Sequence, residues 1–213
     1  MTIEPIDGPF GVLGQATPCF VRVPGDLTVI GRMQFDTDDV EPLETEGVLQ
    51  AVILHEMGHV LGFGTLWGVD AANLLVDPAN PTTPEIEDPH FIGAGALAAF
   101  DAAGGTGYGG AKVPVMDIGS AGTINSHWRD DVFDPELMTG FLSDGFNPLS
   151  EVSIESLADL GYTVDVSQAD PFTLAPALRI AGQRRGRQLV NDVINEPIRR
   201  IDASGRVVGV IPR

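Results

Sequence analysis

His55, Glu56 and His59 lie in the run Leu54-His55-Glu56-Met57-Gly58-His59-Val60. Two histidines four residues apart project from one side of an α-helix, one turn above the other, so both rings can reach a single cation. Glu56 falls about 100° round such a helix from His55, beside the cation rather than on it. A carboxylate placed there can take a proton from metal-activated water, which is the chemistry of hydrolysis. Zinc suits imidazole donors, and a catalytic zinc keeps three protein ligands with one open position. The alternative is two core histidines satisfied by backbone carbonyls.

The third ligand is less legible. Extending the pattern through Gly62 places Thr65, a poor zinc donor, where a compact motif would have its last histidine. Two other histidines remain: His90 in the turn Asp88-Pro89-His90-Phe91, and His127 in Asn125-Ser126-His127-Trp128-Arg129. A glutamate could serve instead, but Glu85 and Glu87 sit in a proline-containing acidic loop. The surroundings of His127, ahead of Glu136-Leu137-Met138-Thr139-Gly140, favour it.

These residues need elements to hold them. The segment from about Glu46 to Leu61 is apolar nearly all round, as expected of a helix buried on several faces, and Gly62 is a natural left-handed stop. Residues 27–35 alternate as a half-buried strand that Asp36 to Asp39 ends, whereas residues 1–20, rich in Gly and Pro, read as an irregular loop with little strand. Residues 65–115 are loop-like, with a short helix near 94–103. Ser150 to Leu160 forms a second helix with Ser150 as N-cap, Gly161 as stop and Ile154, Leu157 and Leu160 as its buried stripe. Residues 197–212 predict a hairpin outside the main core.

Taken together, His55-Glu56-Met57-Gly58-His59-Val60-Leu61-Gly62-Phe63, a long insertion, Ser126-His127-Trp128 and Glu136-Leu137-Met138-Thr139-Gly140 resemble the leishmanolysin family of metzincin peptidases. The likeness continues through residues 148–164, where Leu160-Gly161-Tyr162 matches the family's closing helix. It implies zinc held by His55, His59 and His127, Glu56 as general base, Met138 in a turn beneath the metal, Gly62 as a structural residue at the site, and hydrolysis of peptide bonds. It also implies an α+β fold: a small mixed sheet and active-site helix in a shortened N-terminal lobe, then an irregular C-terminal lobe closed by a helix. Residues 1–175 would form the catalytic domain, with 1–64 the partial N-terminal lobe and 65–175 the C-terminal lobe; 176–213 would be a basic tail. An extracellular monomer acting on proteins or peptides is expected, with residues 31–35 as the strand edge that receives substrate.

Charge narrows the partners. Residues 1–178 hold four Arg/Lys against 27 Asp/Glu, and residues 179–213 hold eight against three. An acidic body repels nucleic acid and anionic lipid, and the cluster Arg184, Arg185 and Arg187 reads as a solvated tail. No run of ~20 apolar residues predicts a membrane span, and no basic-then-apolar start predicts a signal peptide. Cys19 is the one cysteine, read as a small buried thiol that could alternatively cap zinc. Asp36, Asp38, Asp39, Asp130, Asp131 and Asp134 could coordinate calcium, without the spacing of a calcium-binding loop. A non-catalytic module stabilised by calcium or zinc, or an inactive fragment, is therefore the competing class. Gly105-Thr106-Gly107-Tyr108-Gly109-Gly110 satisfies a dinucleotide-binding pattern formally, but its flanks are in the wrong order for that role.

Overall fold

The computed structural model describes residues 1–80, 82, 87–108, 111–120, 122–174 and 186–213. The chain is α+β. Thr2–Glu4 (β1), Gly14–Arg22 (β2) and Leu27–Asp36 (β3) build one side of a five-stranded sheet. The hairpin of Ile198–Ile201 (β9) and Val207–Ile211 (β10) completes it in the order β1-β3-β2-β9-β10. β1 and β3 are parallel, β2 and β3 antiparallel, and β2 and β9 parallel.

Two sequence expectations fail here. About a third of the supposed loop 1–20 is strand β2, because Pro18 falls where the β2/β3 register shifts, at a bulge that tolerates its missing N–H. The C-terminal hairpin is part of the main sheet rather than outside it. Ile198 and Ile211 are buried with Val21, Leu66 and Val69, and Arg200 donates to both oxygens of buried Asp26 at 2.6–3.0 Å.

Asp36 ends β3 and starts a helix. Its Oδ1 accepts the N–H of Asp38, capping Thr37–Glu46 (α1), while its Oδ2 accepts the N–H groups of Ile6, Asp7 and Gly8 and ties down the N-terminal loop. Leu49–Leu61 (α2) follows and ends at Gly62, whose φ of +116° is open to glycine at little cost. Its inner face packs Val52 with Leu13, Phe35 and Leu43 against β2 and β3. Leu54 and Met57 are exposed, so the helix is less enclosed than its composition suggests.

The rest of the chain is short elements around aromatic rings. Leu75–Val76 (β4), His90–Phe91 (β5) and Val113–Pro114 (β6) form a three-stranded sheet. Ala94–Ala102 (α3) packs on Glu151–Leu160 (α5), and the Asp159 carboxylate accepts the N–H groups of Gly95 and Ala96 at 2.9 Å each, capping α3 from the neighbouring helix. Ser150 caps α5 and Gly161 ends it, as its sequence predicts. Its deepest residues are Val152, Ser153, Ile154 and Ser156; Leu157 and Leu160 are only half-buried. Between these helices come Asp130–Phe133 (α4) and Phe141–Leu142 (β7), the latter paired with Arg187–Gln188 (β8). The glycine pattern at 105–110 begins with a single 3-10 turn over Gly105–Gly107, after a helix and before a strand; Gly109 and Gly110 lie outside the described residues, as do Glu85, Arg184 and Arg185. Among the described residues no helix is long and apolar enough to cross a membrane.

Trp128 stacks between Trp67, at 4.8 Å between ring centroids, and Phe133, at 5.3 Å, and its indole N–H donates to Ser153 Oγ at 2.9 Å. Burying some 200 Å² of indole is worth about 5 kcal/mol, against about 1 kcal/mol for a single hydrogen bond, so packing rather than polar contact fixes this segment. The neighbour of Trp128 is His127.

Candidate metal centre

α2 carries His55, Glu56 and His59 on its buried face. His127 arrives from the loop before α4, and all four side chains are at most 1% exposed. The Nε2 atoms of His55, His59 and His127 form a triangle with sides of 3.0, 3.1 and 3.1 Å. Each ring is turned by its other nitrogen. His55 Nδ1 donates to the Leu137 carbonyl at 2.8 Å, His59 Nδ1 to that of Phe63 at 3.0 Å and His127 Nδ1 to that of Thr123 at 2.9 Å. A carbonyl oxygen is an acceptor, so each ring carries a proton on Nδ1 and, when neutral, aims the lone pair of Nε2 at the common centre. Three lone pairs converging in a dry cavity repel one another unless a cation lies between them. Zinc–nitrogen bonds of ~2.0–2.1 Å in a tetrahedron put the nitrogens about 3.3 Å apart, within a few tenths of the observed triangle. The residues therefore fit the ion.

Glycines set this geometry at two points. A Cβ on Gly58 would meet the Met138 side chain at 2.7 Å, so the thioether of Met138 lies directly against the helix between the two histidines. Gly64, at φ +68°, lets the chain leaving α2 touch the backbone of Ser126. Beneath them Glu136, fully buried, accepts from Met138 N, Ser150 N, Ser150 Oγ and Ser153 Oγ at 2.5–3.1 Å, joining the Met138 turn to α5. Burial raises the Glu136 carboxyl above its usual range even though these donors pull it down. Thr65 is no ligand; its hydroxyl donates to the His59 carbonyl and closes the end of the helix.

A fourth group completes the centre, and the sequence reading missed it. Asp192 Oδ2 lies 2.7 Å from His127 Nε2, 3.2 Å from His55 Nε2 and 3.7 Å from His59 Nε2, with the side chain 1% exposed. Among the described residues His55, His59, His127 and Asp192 are the one cluster able to hold a metal. The six aspartates considered for calcium do not converge: Asp36 spends both oxygens on backbone N–H groups, and Asp39 Oδ1 accepts from Phe10 N at 2.8 Å. His90 is in β5, its Nδ1 bonded to the Asp88 carbonyl, outside the cluster. Cys19 is a half-buried free thiol in β2, also outside it.

Electrostatics follow from the enclosure. Burial, then its proximity to His55 and His127, lowers the His59 pKa to about 4. Burial also acts to lower that of His127, but the Asp192 carboxylate beside it wins and raises it. Asp192 is raised by burial yet held well below the carboxylate range by the three imidazoles, His127 foremost. Glu56 behaves oppositely: burial, reinforced by the charge of Asp192, pushes it well above its usual range. Among the described residues neither Glu56 oxygen has a hydrogen-bond partner.

Three imidazoles and a carboxylate around one centre form a group able to hold a single metal ion, and the helix that supplies two of the imidazoles also carries the buried Glu56. The leishmanolysin peptidase family model matches residues 1–179 of the 213, and the chain belongs to that family, whose members are zinc metallopeptidases. No curated protein matches it. Asp192 lies beyond the matched region.

Proposed function

We propose that the chain is a zinc-dependent endopeptidase of metzincin type, with His55, His59 and His127 as ligands, Glu56 as general base and Met138 as the methionine of the turn beneath the metal. The observation that carries the reading is the Glu56 carboxylate: fully buried, without a hydrogen-bond partner among the described residues, and on the helix that supplies two of the imidazoles. An unpaired buried carboxylate costs several kcal/mol and is kept only where it is used. Zinc, when bound, lowers the pKa of water to ~7 and polarises a peptide carbonyl. Glu56 accepts a proton from the attacking water and returns it to the departing amine. The Leu137, Phe63 and Thr123 carbonyls hold the three rings in register, and the Met138 side chain supports the helix from below. Substrate is protein, and an extracellular or surface setting fits the family.

Glu56→Gln preserves shape and removes the base. Zinc content should stay at the wild-type level while cleavage of casein, measured in the zinc-loaded enzyme freed of Asp192, falls by about 10²–10⁴; undiminished cleavage refutes the assignment. Asp192 favours a second reading, a closed four-ligand structural site. That reading requires every variant, including those lacking Asp192, to be inert toward protein.

A further inference from the structure

The geometry points to residues 186–201 as a tethered strap that occupies the substrate groove of this chain, with Asp192 taking the metal position that an attacking water needs; the inference rests on the peptidase reading. Of residues 31–35, expected to receive substrate, Gln34 and Phe35 in β3 are paired on both sides by β1 and β2, and residues 31–33 pair with β2. The edge beside the centre is instead that of β2, where a Cβ on Gly14 would lie 3.1 Å from Glu56 Cγ. This edge is covered. Ala16 N donates to the Asp192 carbonyl at 2.7 Å and Ile194 N to the Ala16 carbonyl at 2.9 Å, the strand addition by which extended peptides bind sheet edges.

The strap is fixed at both ends. On one side β8 pairs with β7, Leu189 N donates to the Gly140 carbonyl at 2.9 Å, and Gly122 passes so near Asn191 that a Cβ would meet its Cα at 2.8 Å. On the other, β9 pairs with β2 and Arg200 grips Asp26. Asn191, at φ +50°, turns the chain and presents Asp192 inward. Burying a carboxylate costs several kcal/mol unless it is well compensated, and Asp192 Oδ1 has no hydrogen-bond partner among the described residues. Three imidazole nitrogens compensate it weakly; a zinc ion shared with them does so fully. With four protein donors a bound ion would have no open position, so the intact chain is latent until the Asp192 carboxylate leaves the centre.

The test compares the full-length chain with Asp192→Ala and Asp192→Asn, the second preserving side-chain shape. Each is loaded with cobalt(II) in place of zinc and titrated with acetohydroxamate while the visible spectrum is followed. A tethered competitor acts at an effective concentration in the millimolar range or above, so both variants should bind hydroxamate about tenfold or more tightly than wild type, and their spectra before titration should differ from it. With zinc, their casein cleavage should rise by a similar factor. Identical spectra and hydroxamate affinities in all three proteins overturn the strap. Lower cleavage in the variants than in wild type also overturns it, making Asp192 part of the catalytic machinery. Tighter hydroxamate binding with no cleavage by any protein upholds the strap and removes the peptidase reading instead.

Discussion

Gly64→Ala tests whether the third ligand is placed by backbone contact. A Cβ at position 64 would lie 2.5 Å from Ser126 Cα and 2.6 Å from its carbonyl carbon. Carbon atoms prefer about 3.5–4.0 Å, so the two chains must separate by roughly 1 Å. Ser126 is joined to His127, and metal–ligand distances tolerate only about 0.2 Å, so the His127 ring leaves the triangle unless its loop deforms. Alanine also pays about 1–2 kcal/mol for φ +68° and about 1–3 kcal/mol for overpacking, together about 2–5 kcal/mol. For a chain of this size that lowers Tm by roughly 4–20 °C. Zinc affinity, measured by competition with a chromogenic chelator, should fall by at least 10- to 100-fold, the order seen when the support of a ligand is removed. Gly25→Ala is the control: Gly25 has φ +98° with nothing within 4 Å of a Cβ, so it bears the backbone cost alone and keeps the metal. Wild-type zinc affinity in Gly64→Ala refutes the reasoning, because then contact with Ser126 does not position His127.

Two further outcomes are expected. His127→Ala should lose zinc on dialysis while His90→Ala retains it, checked by elemental analysis; the reverse pattern moves the third ligand. Burial would raise the Asp36 carboxyl, but the N–H groups of Asp38, Asp7, Ile6 and Gly8 hold it below its ordinary 3.8. A carboxylate depressed in the folded state contributes stability that is present above the unfolded pKa and lost as pH falls through the folded one. Asp36→Asn should therefore cost about 1.5–3 kcal/mol at pH 7 by urea unfolding, with the difference vanishing toward pH 2; an equal difference at both pH values refutes this account.

What was legible in the sequence follows from how local each signal is. His55, Glu56, His59 and the Gly62 stop are written within one helix, and the Ser150 cap and Gly161 stop within another, so spacing alone places them. His127 needed the family resemblance, because the contacts that bring it in, through Trp128, Thr123 and Gly64, are set by tertiary packing. Strand β2 was hidden because Gly14 and Pro18 read as loop residues when the bulge against β3 is not visible. Helix α1 was missed because Asp36, read as the end of a strand, is also an N-cap. Asp192 carries no motif. The available hint was its setting, a single acid between Leu189-Val190 and Val193-Ile194, since a charge in an apolar run is exposed only if its neighbours are not buried.

The charges around the centre explain why one fold can hold both a reactive glutamate and a blocking aspartate. Burial, reinforced by the Asp192 charge, pushes Glu56 up, while the three imidazoles, His127 foremost, hold Asp192 down against its own burial, so the two carboxyls of one dry cavity move in opposite directions. A divalent cation held among three neutral imidazoles would supply two positive charges and offset both carboxylates when they are ionised. Withdrawing the strap removes one negative charge and leaves the site with a net positive one. That is the sign needed to stabilise negative charge building on a substrate carbonyl. The same departure that clears the β2 edge for an extended peptide thus tunes the centre for the reaction, and this coupling is possible because the carboxylate comes from the strap and not from the helix that carries the base.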